Sequence, residues 1–166
     1  ITIKEDMMGD FHRKVESYKP DFMIFSVVED AYVQAIKLLR QVKDLNIPHM
    51  IGGVFPTNAP ARCMEDPEVN MIGLGEGENS VVRVAEAIRL SLPLNNIPGT
   101  WYRDAEGTIH KNSKDLLVNI NSHRPDFSLF EKNRFYRPMG GKVFKMIPVE
   151  TFRGCPFSCT YCNSPA

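Results

Sequence analysis

Strand-like and helix-like segments alternate along residues 1–92, and this alternation limits the fold more than any other feature of the sequence. The strand-like runs occupy residues 1–3, 22–28, 49–51 and 69–74, and amphipathic segments lie between them. This pattern predicts a parallel sheet with helices on its faces and right-handed crossovers. The predominantly apolar run at 22–28 is typical of a strand that is buried on both faces.

The helices that we predict between these strands each carry an apolar stripe at helical spacing. Residues 54–58 are predicted to form a loop, and a short helix is expected from Pro60 to about Glu65. The three stripes consist of Phe11, Val15 and Tyr18, then Tyr32, Ile36, Leu39 and Val42, then Val81, Ala85, Ile88 and Leu92.

Small or glycine-rich residues lie at or just after the ends of three of the predicted strands. They are Ser26, the pair Gly52 and Gly53, and the stretch from Gly75 through Glu76 to Gly77. Ligands of parallel sheets bind at the carboxyl ends of the strands, and glycine allows the backbone to approach a bulky ligand closely. These residues are therefore candidate cofactor contacts. Glycines are also common in ordinary strand-to-helix turns, and Glu76 could simply favour the start of a helix.

The alternation of strand-like and helix-like segments ends before residue 98. Residues 98–140 are predicted to form a β-hairpin with its turn at Glu106-Gly107, followed by an irregular linker. Residues 142–152 read as a strand, so that residues 141–166 would form the start of a second domain.

Three cysteines lie close together in this last part, at Cys155, Cys159 and Cys162. Thiolates at this spacing can converge on one metal centre, and an iron–sulfur cluster is the leading interpretation. Such clusters usually take four thiolates, so three would leave one iron open to a substrate or cofactor. A structural zinc site completed by His110 or His123, and a redox pair formed by Cys159 and Cys162, remain alternatives.

The composition gives no hint of a nucleic-acid or membrane partner. The 166 residues include 20 basic and 20 acidic side chains, for a formal net charge of +0. No apolar run approaches the roughly 20 residues of a membrane-spanning helix. The fourth cysteine, Cys63, lies far from the others and is interpreted as a small buried residue. Because clustered thiols outside a disulfide framework suit a reducing compartment, we expect a cytoplasmic protein.

Taken in order, these features resemble the cobalamin-binding (B12-binding) domain that precedes the barrel of radical S-adenosylmethionine enzymes. The first part of the resemblance consists of a strand that ends in Ser26 and of the glycine turns at 52–53 and 75–78. The second is the segment 153–162, which is similar to the cluster loop of the barrel. The resemblance implies a Rossmann-like (flavodoxin-like) sheet over residues 1–97, without the family's first strand and helix, and a truncated (β/α) barrel from residue 141.

The resemblance also implies a chemistry. Cys155, Cys159 and Cys162 would hold three irons of a [4Fe–4S] cluster, and the fourth iron would chelate S-adenosylmethionine. Reductive cleavage would give a 5′-deoxyadenosyl radical for methylation or rearrangement at an unreactive carbon of a small-molecule substrate. An external flavodoxin or ferredoxin would supply the electron. Tyr161 would lie near the adenine, and cobalamin would lie across the strand ends near Ser26, Gly52, Gly53 and Gly75.

One departure from the family concerns the histidine that ligates cobalt in some cobalamin domains. Asp10 and His12 match the start of that motif, but the glycine that should follow is missing. We therefore interpret His12 as a surface helix residue and expect no protein histidine on cobalt. We also expect the chain to be a fragment that is inactive alone, with a flexible, metal-free cysteine loop. The alternative function is a non-catalytic binding module or a structural zinc protein.

Overall fold

The computed structural model describes residues 7–162, which fall into two compact units: the first ends at Val118 and the second begins at Asn119. The strand expected at residues 1–3 lies outside the described residues. The elements of the first unit are α1 (Met7–Tyr18), β1 (Met23–Ser26), α2 (Glu29–Gln41), a 3₁₀ turn (Lys43–Leu45), β2 (His49–Gly52), α3 (Val54–Asn58), α4 (Pro60–Met64), β3 (Met71–Gly73), α5 (Glu78–Arg89), β4 (Thr100–Arg103) and β5 (Ile109–Lys111).

The five strands of this unit form one mixed sheet in the order β1-β2-β3-β4-β5. β1, β2 and β3 are parallel, whereas β4 and β5 join as an antiparallel hairpin. The predicted Rossmann-like sheet with flanking helices is thus confirmed. The predicted hairpin is also present, and it extends the sheet because Trp101 and Tyr102 pair with Ile72 and Met71 of β3.

The strand register sorts the core into two clusters, since paired residues point to the same face of a sheet. Ile51 of β2 pairs with Ile72 of β3, and both pack in the cluster that contains the buried face of α2. Met50 and Met71 point to the other face and pack against Val84 of α5. Both faces of β2 and β3 are therefore covered, as a parallel sheet requires.

β1 does not follow this pattern, and the prediction that residues 22–28 are buried on both faces is wrong. Met23 and Val27 are buried, but Ile24 is 49% exposed and Val28 is 54% exposed. Ile24 pairs with Met50 and so points to the face of α5. The α5 cluster includes Met50 but not Ile24, because α5 lies over the middle of the sheet and leaves this face of β1 uncovered within the described residues.

The helical predictions are confirmed for α2 and partly wrong elsewhere. All four residues of the α2 stripe are buried, and α4 forms where a short helix was predicted. Residues 54–58 form the helix α3 and not a loop. None of the described helices is long and apolar enough to cross a membrane. Three residues of the predicted stripes are exposed and so were wrongly predicted: Tyr18, Ala85 and Leu92. The buried face of α5 consists of Ser80, Val84 and Ala87, which each precede a predicted stripe position by one residue.

The second unit has little regular structure. Two 3₁₀ turns (Phe127–Leu129 and Lys132–Phe135) precede an antiparallel hairpin of β6 (Tyr136–Met139) and β7 (Lys142–Lys145). The predicted strand at 142–152 is therefore shorter than expected and ends at Lys145. It turns back on β6 because Gly140 and Gly141, both with positive φ, form a tight connection.

Candidate cofactor site at the carboxyl ends of the strands

The first two predicted cofactor segments meet where β1 and β2 end. The backbone N–H of Val27 donates to the carbonyl oxygen of Gly52 at 2.9 Å, so the residue after Ser26 is tied to the end of β2. The N–H of Phe55 in α3 donates to the carbonyl of Val27 at 3.3 Å. Parallel pairing thus brings Ser26, Gly52 and Gly53 to one edge of the sheet, as the sequence predicted.

Gly53 is needed at this edge for close backbone packing. Its φ is +101°, a conformation that side chains rarely adopt, and a Cβ would lie 2.7 Å from both the nitrogen and the oxygen of Val27. The same Cβ would lie 3.2 Å from the hydroxyl of Ser26. The contacts of Gly53 are therefore with its own chain, and they hold the end of β2 against the end of β1.

Gly75 faces open space, and Gly52 has room for a Cβ at ordinary contact distance. The nearest atom to a Cβ on Gly52 is the carbonyl oxygen of Phe25 at 4.0 Å, and no atom lies within 4 Å of a Cβ on Gly75. Gly75 also has a φ of +73°. These two positions leave room above the strand ends for a bulky group, which is the property that a cofactor cradle requires.

Thr57 connects the two glycine turns, although it is not among the site residues predicted from the sequence. Its hydroxyl donates to the carbonyl oxygen of Gly53 at 2.8 Å and accepts from the N–H of Gly75 at 3.0 Å. The turn after β3 is thereby fixed to the helix after β2. The sequence offered only a weak signal for this role. Thr57 lies four residues after the glycine pair, in residues that we predicted to form a loop.

The stretch from Gly75 to Gly77 lies after β3, as predicted. Gly77 forms the N-cap of α5, and a Cβ there would make only an ordinary contact of 3.7 Å with Val81. The carboxylate of Glu76 accepts a hydrogen bond from the backbone N–H of Val118. Glu76 therefore faces the chain that leaves the first unit, and its predicted contact with a cofactor stays a prediction.

The cysteine loop lies in the second unit. Cys155 is half-buried, whereas Cys159, Tyr161 and Cys162 are exposed. The N–H of Cys162 donates to the carbonyl of Cys159 at 3.1 Å, which closes a turn between the last two thiols. Within residues 7–162, no three His, Cys, Asp or Glu side chains are placed together as metal ligands, so the structure does not assemble the predicted ligand set.

The histidines of the zinc alternative have partners within their own units. Nε2 of His110 lies 2.7 Å from the carboxylate of Asp104 in the β4–β5 hairpin, and this hydrogen bond is the main cause that lowers the pKa of Asp104. Nδ1 of His123 lies 3.0 Å from the hydroxyl of Ser122.

A comparison with protein-family models identifies the part of the first unit that ends at residue 85. Residues 4–85 match the model of the B12 binding domain, the stretch that contains both glycine turns. Residues 4–85 belong to the B12-binding domain family. The resemblance inferred from the sequence is thereby confirmed.

The chain is also similar to a curated relative and to two solved structures. The chain is 25% identical over 157 residues to an anaerobic magnesium-protoporphyrin IX monomethyl ester cyclase of Cereibacter sphaeroides, covering 90% of this chain and 25% of that protein. The structure of the cobalamin-dependent S-adenosylmethionine radical enzyme OxsB aligns with this chain at a TM-score of 0.56 and 19% identity. The alignment covers 68% of this chain and 16% of the OxsB chain. The structure of the radical S-adenosylmethionine methyltransferase TsrM of Kitasatospora setae aligns at a TM-score of 0.57 and 17% identity. This alignment covers 67% of this chain and 22% of the TsrM chain. The two structures show that the fold is shared.

The residues at the strand ends of this B12-binding domain fit a corrin cofactor. The open positions Gly52 and Gly75 provide space, and the network through Thr57 fixes both turns. His12 is engaged elsewhere: its Nε2 lies 3.3 Å from the carboxylate of Asp44, in the 3₁₀ turn that precedes β2. Asp44 is near the amino ends of the strands, so His12 is held toward the end of the sheet opposite the glycine turns.

Proposed function

We propose that this chain is the cobalamin-binding part of a radical S-adenosylmethionine enzyme, together with the loop that binds its [4Fe–4S] cluster. The observation that carries the proposal is the open space at Gly75 and the uncrowded position of Gly52, at the strand ends of a B12-binding domain. A CxxxCxxC segment follows in the same chain. The chain spans 25% of the length of the cyclase that it resembles, so the activity belongs to a longer protein.

At the cradle, the chain's own residues bind and orient the cofactor. Gly52 and Gly75 admit the corrin and its nucleotide tail, because no Cβ fills the space beside either backbone. Gly53 and Thr57 keep the two turns in register, so the cradle is largely formed before binding. Ser26 is exposed at the end of β1 and offers its hydroxyl as a hydrogen-bond partner.

In the cysteine loop, the donor set suits an iron–sulfur cluster. Cys155, Cys159 and Cys162 supply three thiolates, the ligands that such clusters prefer. Gly154, with a φ of +85°, turns the backbone just before the first of them. A bound cluster would supply the electron that reduces S-adenosylmethionine, and Tyr161, which is exposed in the loop, would contact the adenine.

The reaction that follows is methylation or rearrangement at an unreactive carbon of a small molecule. Among similar proteins, the methyltransferase TsrM represents methylation, and the cyclase from Cereibacter sphaeroides represents a third outcome, ring closure. An external flavodoxin or ferredoxin would donate the electron, in the reducing environment of the cytoplasm.

A glycine pair tests the cobalamin site in the full-length protein. Gly75→Ala and Gly107→Ala place the same methyl group at positive φ, +73° and +84°, with nothing within 4 Å of either. Gly75 lies at the cradle and Gly107 lies in the distant β4–β5 turn. We expect Gly75→Ala to weaken cobalamin binding, followed by the visible difference spectrum, while Gly107→Ala binds as the wild type does. Equal affinities for both variants, or no spectral change with the wild type, would contradict the proposal.

Anaerobic reconstitution tests the cluster. The wild-type full-length protein should take up iron and acid-labile sulfide, and replacement of any one of Cys155, Cys159 or Cys162 by alanine should remove both. Cys63→Ala is the matched control, because Cys63 is fully buried in the first unit. Zinc at one per chain without sulfide would select the structural zinc protein, and cobalamin binding without a cluster would select the binding module.

A further inference from the structure

We propose that Glu76 is a positioning residue that fixes where the chain leaves the first unit, and that it does not bind the cofactor. Its carboxylate accepts the backbone N–H of Val118, 42 residues further along the sequence. Val118 is the last residue of the first unit. The turn that lies at the cofactor edge therefore also holds the end of the unit.

The tie at Val118 completes a series of contacts along residues 112–118, which we call the exit segment. At its start, the N–H of Asn112 donates to the carbonyl of Thr100 at 3.2 Å. The N–H of Gly99 then donates to the carbonyl of Ser113 at 2.8 Å. The exit segment thus runs beside the start of β4 before it reaches the turn after β3.

Its middle is held by a side chain. The carboxylate of Asp115 forms an ion pair with Arg83 of α5, and the side chain of Asp115 is only 10% exposed. A Cβ on Gly99 would lie 3.3 Å from the Cβ atoms of both Asp115 and Ser80. The backbone of the segment therefore packs closely against α5 and the start of β4.

The last part of the segment has little apolar burial beyond Val118, which is half-buried. Leu116 and Leu117, which lie between Asp115 and Val118, are 83% and 88% exposed. Since these apolar side chains contribute little burial, the hydrogen bond from Val118 to Glu76 carries much of the order at this end. Loss of the Glu76 carboxylate should release Val118 while the contacts at Asp115 and Ser113 persist.

This assignment separates two roles within one turn. The backbone of Gly75 borders open space, whereas the side chain of Glu76 is directed to the exit segment. The expectation for cobalamin affinity rests on the proposed function, but the anchoring of Val118 does not. The experiment therefore measures the two separately.

The experiment is hydrogen exchange of the Val118 amide in the full-length protein, combined with a cobalamin titration. Glu76→Ala should speed exchange at Val118 about tenfold or more, because a hydrogen bond to a charged acceptor is lost. Glu76→Gln keeps a carbonyl acceptor and should restore most of the protection. Glu78→Ala, which removes a carboxylate two residues away in the first turn of α5, should leave Val118 protected. Cobalamin affinity should stay within about threefold of the wild type in all three variants.

Two results would overturn the inference. One is unchanged exchange at Val118 in Glu76→Ala. The other is a fall of about tenfold or more in cobalamin affinity in Glu76→Ala, which would return Glu76 to the cofactor contacts. If the wild type binds no cobalamin, the proposed function fails, and the exchange measurement still decides whether Glu76 anchors the exit segment.

Discussion

The hydroxyl of Thr57 accepts the N–H of Gly75 at 3.0 Å and donates to the carbonyl of Gly53 at 2.8 Å, so one side chain joins the turns after β2 and β3. Thr57→Val replaces this hydroxyl by a methyl group and removes both hydrogen bonds. We expect the free energy of unfolding to fall by about 1–2 kcal/mol and the affinity for cobalamin to decrease. Urea denaturation and a spectral titration measure these effects.

Thr57→Ser is the matched control, because it retains the hydroxyl and loses only a methyl group. It should stay close to the wild type in cobalamin affinity, with a smaller loss of stability than Thr57→Val. If Thr57→Val binds cobalamin as tightly as the wild type, the bridge is not needed for the cradle.

Substitution by alanine should destabilise the protein much more at Gly53 than at the adjacent Gly52. A Cβ at Gly53 would lie 2.7 Å from the backbone of Val27, at a φ of +101°, so Gly53→Ala should cost about 3 kcal/mol or more. A Cβ at Gly52 has its nearest neighbour at 4.0 Å, so Gly52→Ala should cost less than about 1 kcal/mol. Thermal unfolding of both variants makes the comparison, and a larger loss for Gly52→Ala would contradict the roles assigned here.

Local patterns predicted much of this fold correctly. The stripe of Tyr32, Ile36, Leu39 and Val42 is buried as its helical spacing indicates, since an amphipathic helix next to a parallel sheet has one face to cover. The glycine turns at 52–53 and 75–77 lie at the carboxyl ends of the strands because all the strands before them are parallel. Each of these predictions depends only on neighbours in the sequence.

The features that the sequence analysis missed depend on distant neighbours. The partners of Thr57 and Glu76 include Gly75 and Val118, which lie 18 and 42 residues away, and no periodicity links them. The exposure of Ile24 depends on how far α5 extends across the sheet. For the cysteine loop, the spacing predicts the chemistry of the donors but not the arrangement of their side chains.

Cys63 should differ sharply from the loop cysteines in reactivity. It is fully buried, and burial is the main cause that raises the pKa of its thiol to about 11. In the native protein without a cluster, iodoacetamide at pH 8 should modify the exposed Cys159 and Cys162 and leave Cys63 intact. Peptide mass spectrometry identifies the modified sites. Rapid alkylation of Cys63 would show that the reagent reaches this thiol in the folded protein.

The same thiol makes stability depend on pH in the alkaline range. The unfolded thiol ionises near its ordinary pKa of 9.0, whereas the folded thiol stays protonated until about pH 11. The unfolded state therefore binds fewer protons in this window, so the contribution of Cys63 is intact below pH 9 and is lost as the pH rises toward 11. Cys63→Ala should reduce the fall in the free energy of unfolding between these pH values, and an unchanged fall would contradict the assignment.

Ile24 and Met50 face the same side of the sheet and are paired in the register of β1 and β2, yet they differ in burial. Met50 is 1% exposed beneath α5, so Met50→Ala should cost about 2–5 kcal/mol through lost burial and a new cavity. Ile24 is 49% exposed, so Ile24→Ala should cost less than about 1 kcal/mol. Urea denaturation of both variants in the full-length protein measures the difference. A cost at Ile24 that equals the cost at Met50 would mean that a further element covers β1, because only burial of the isoleucine side chain could produce a loss of that size.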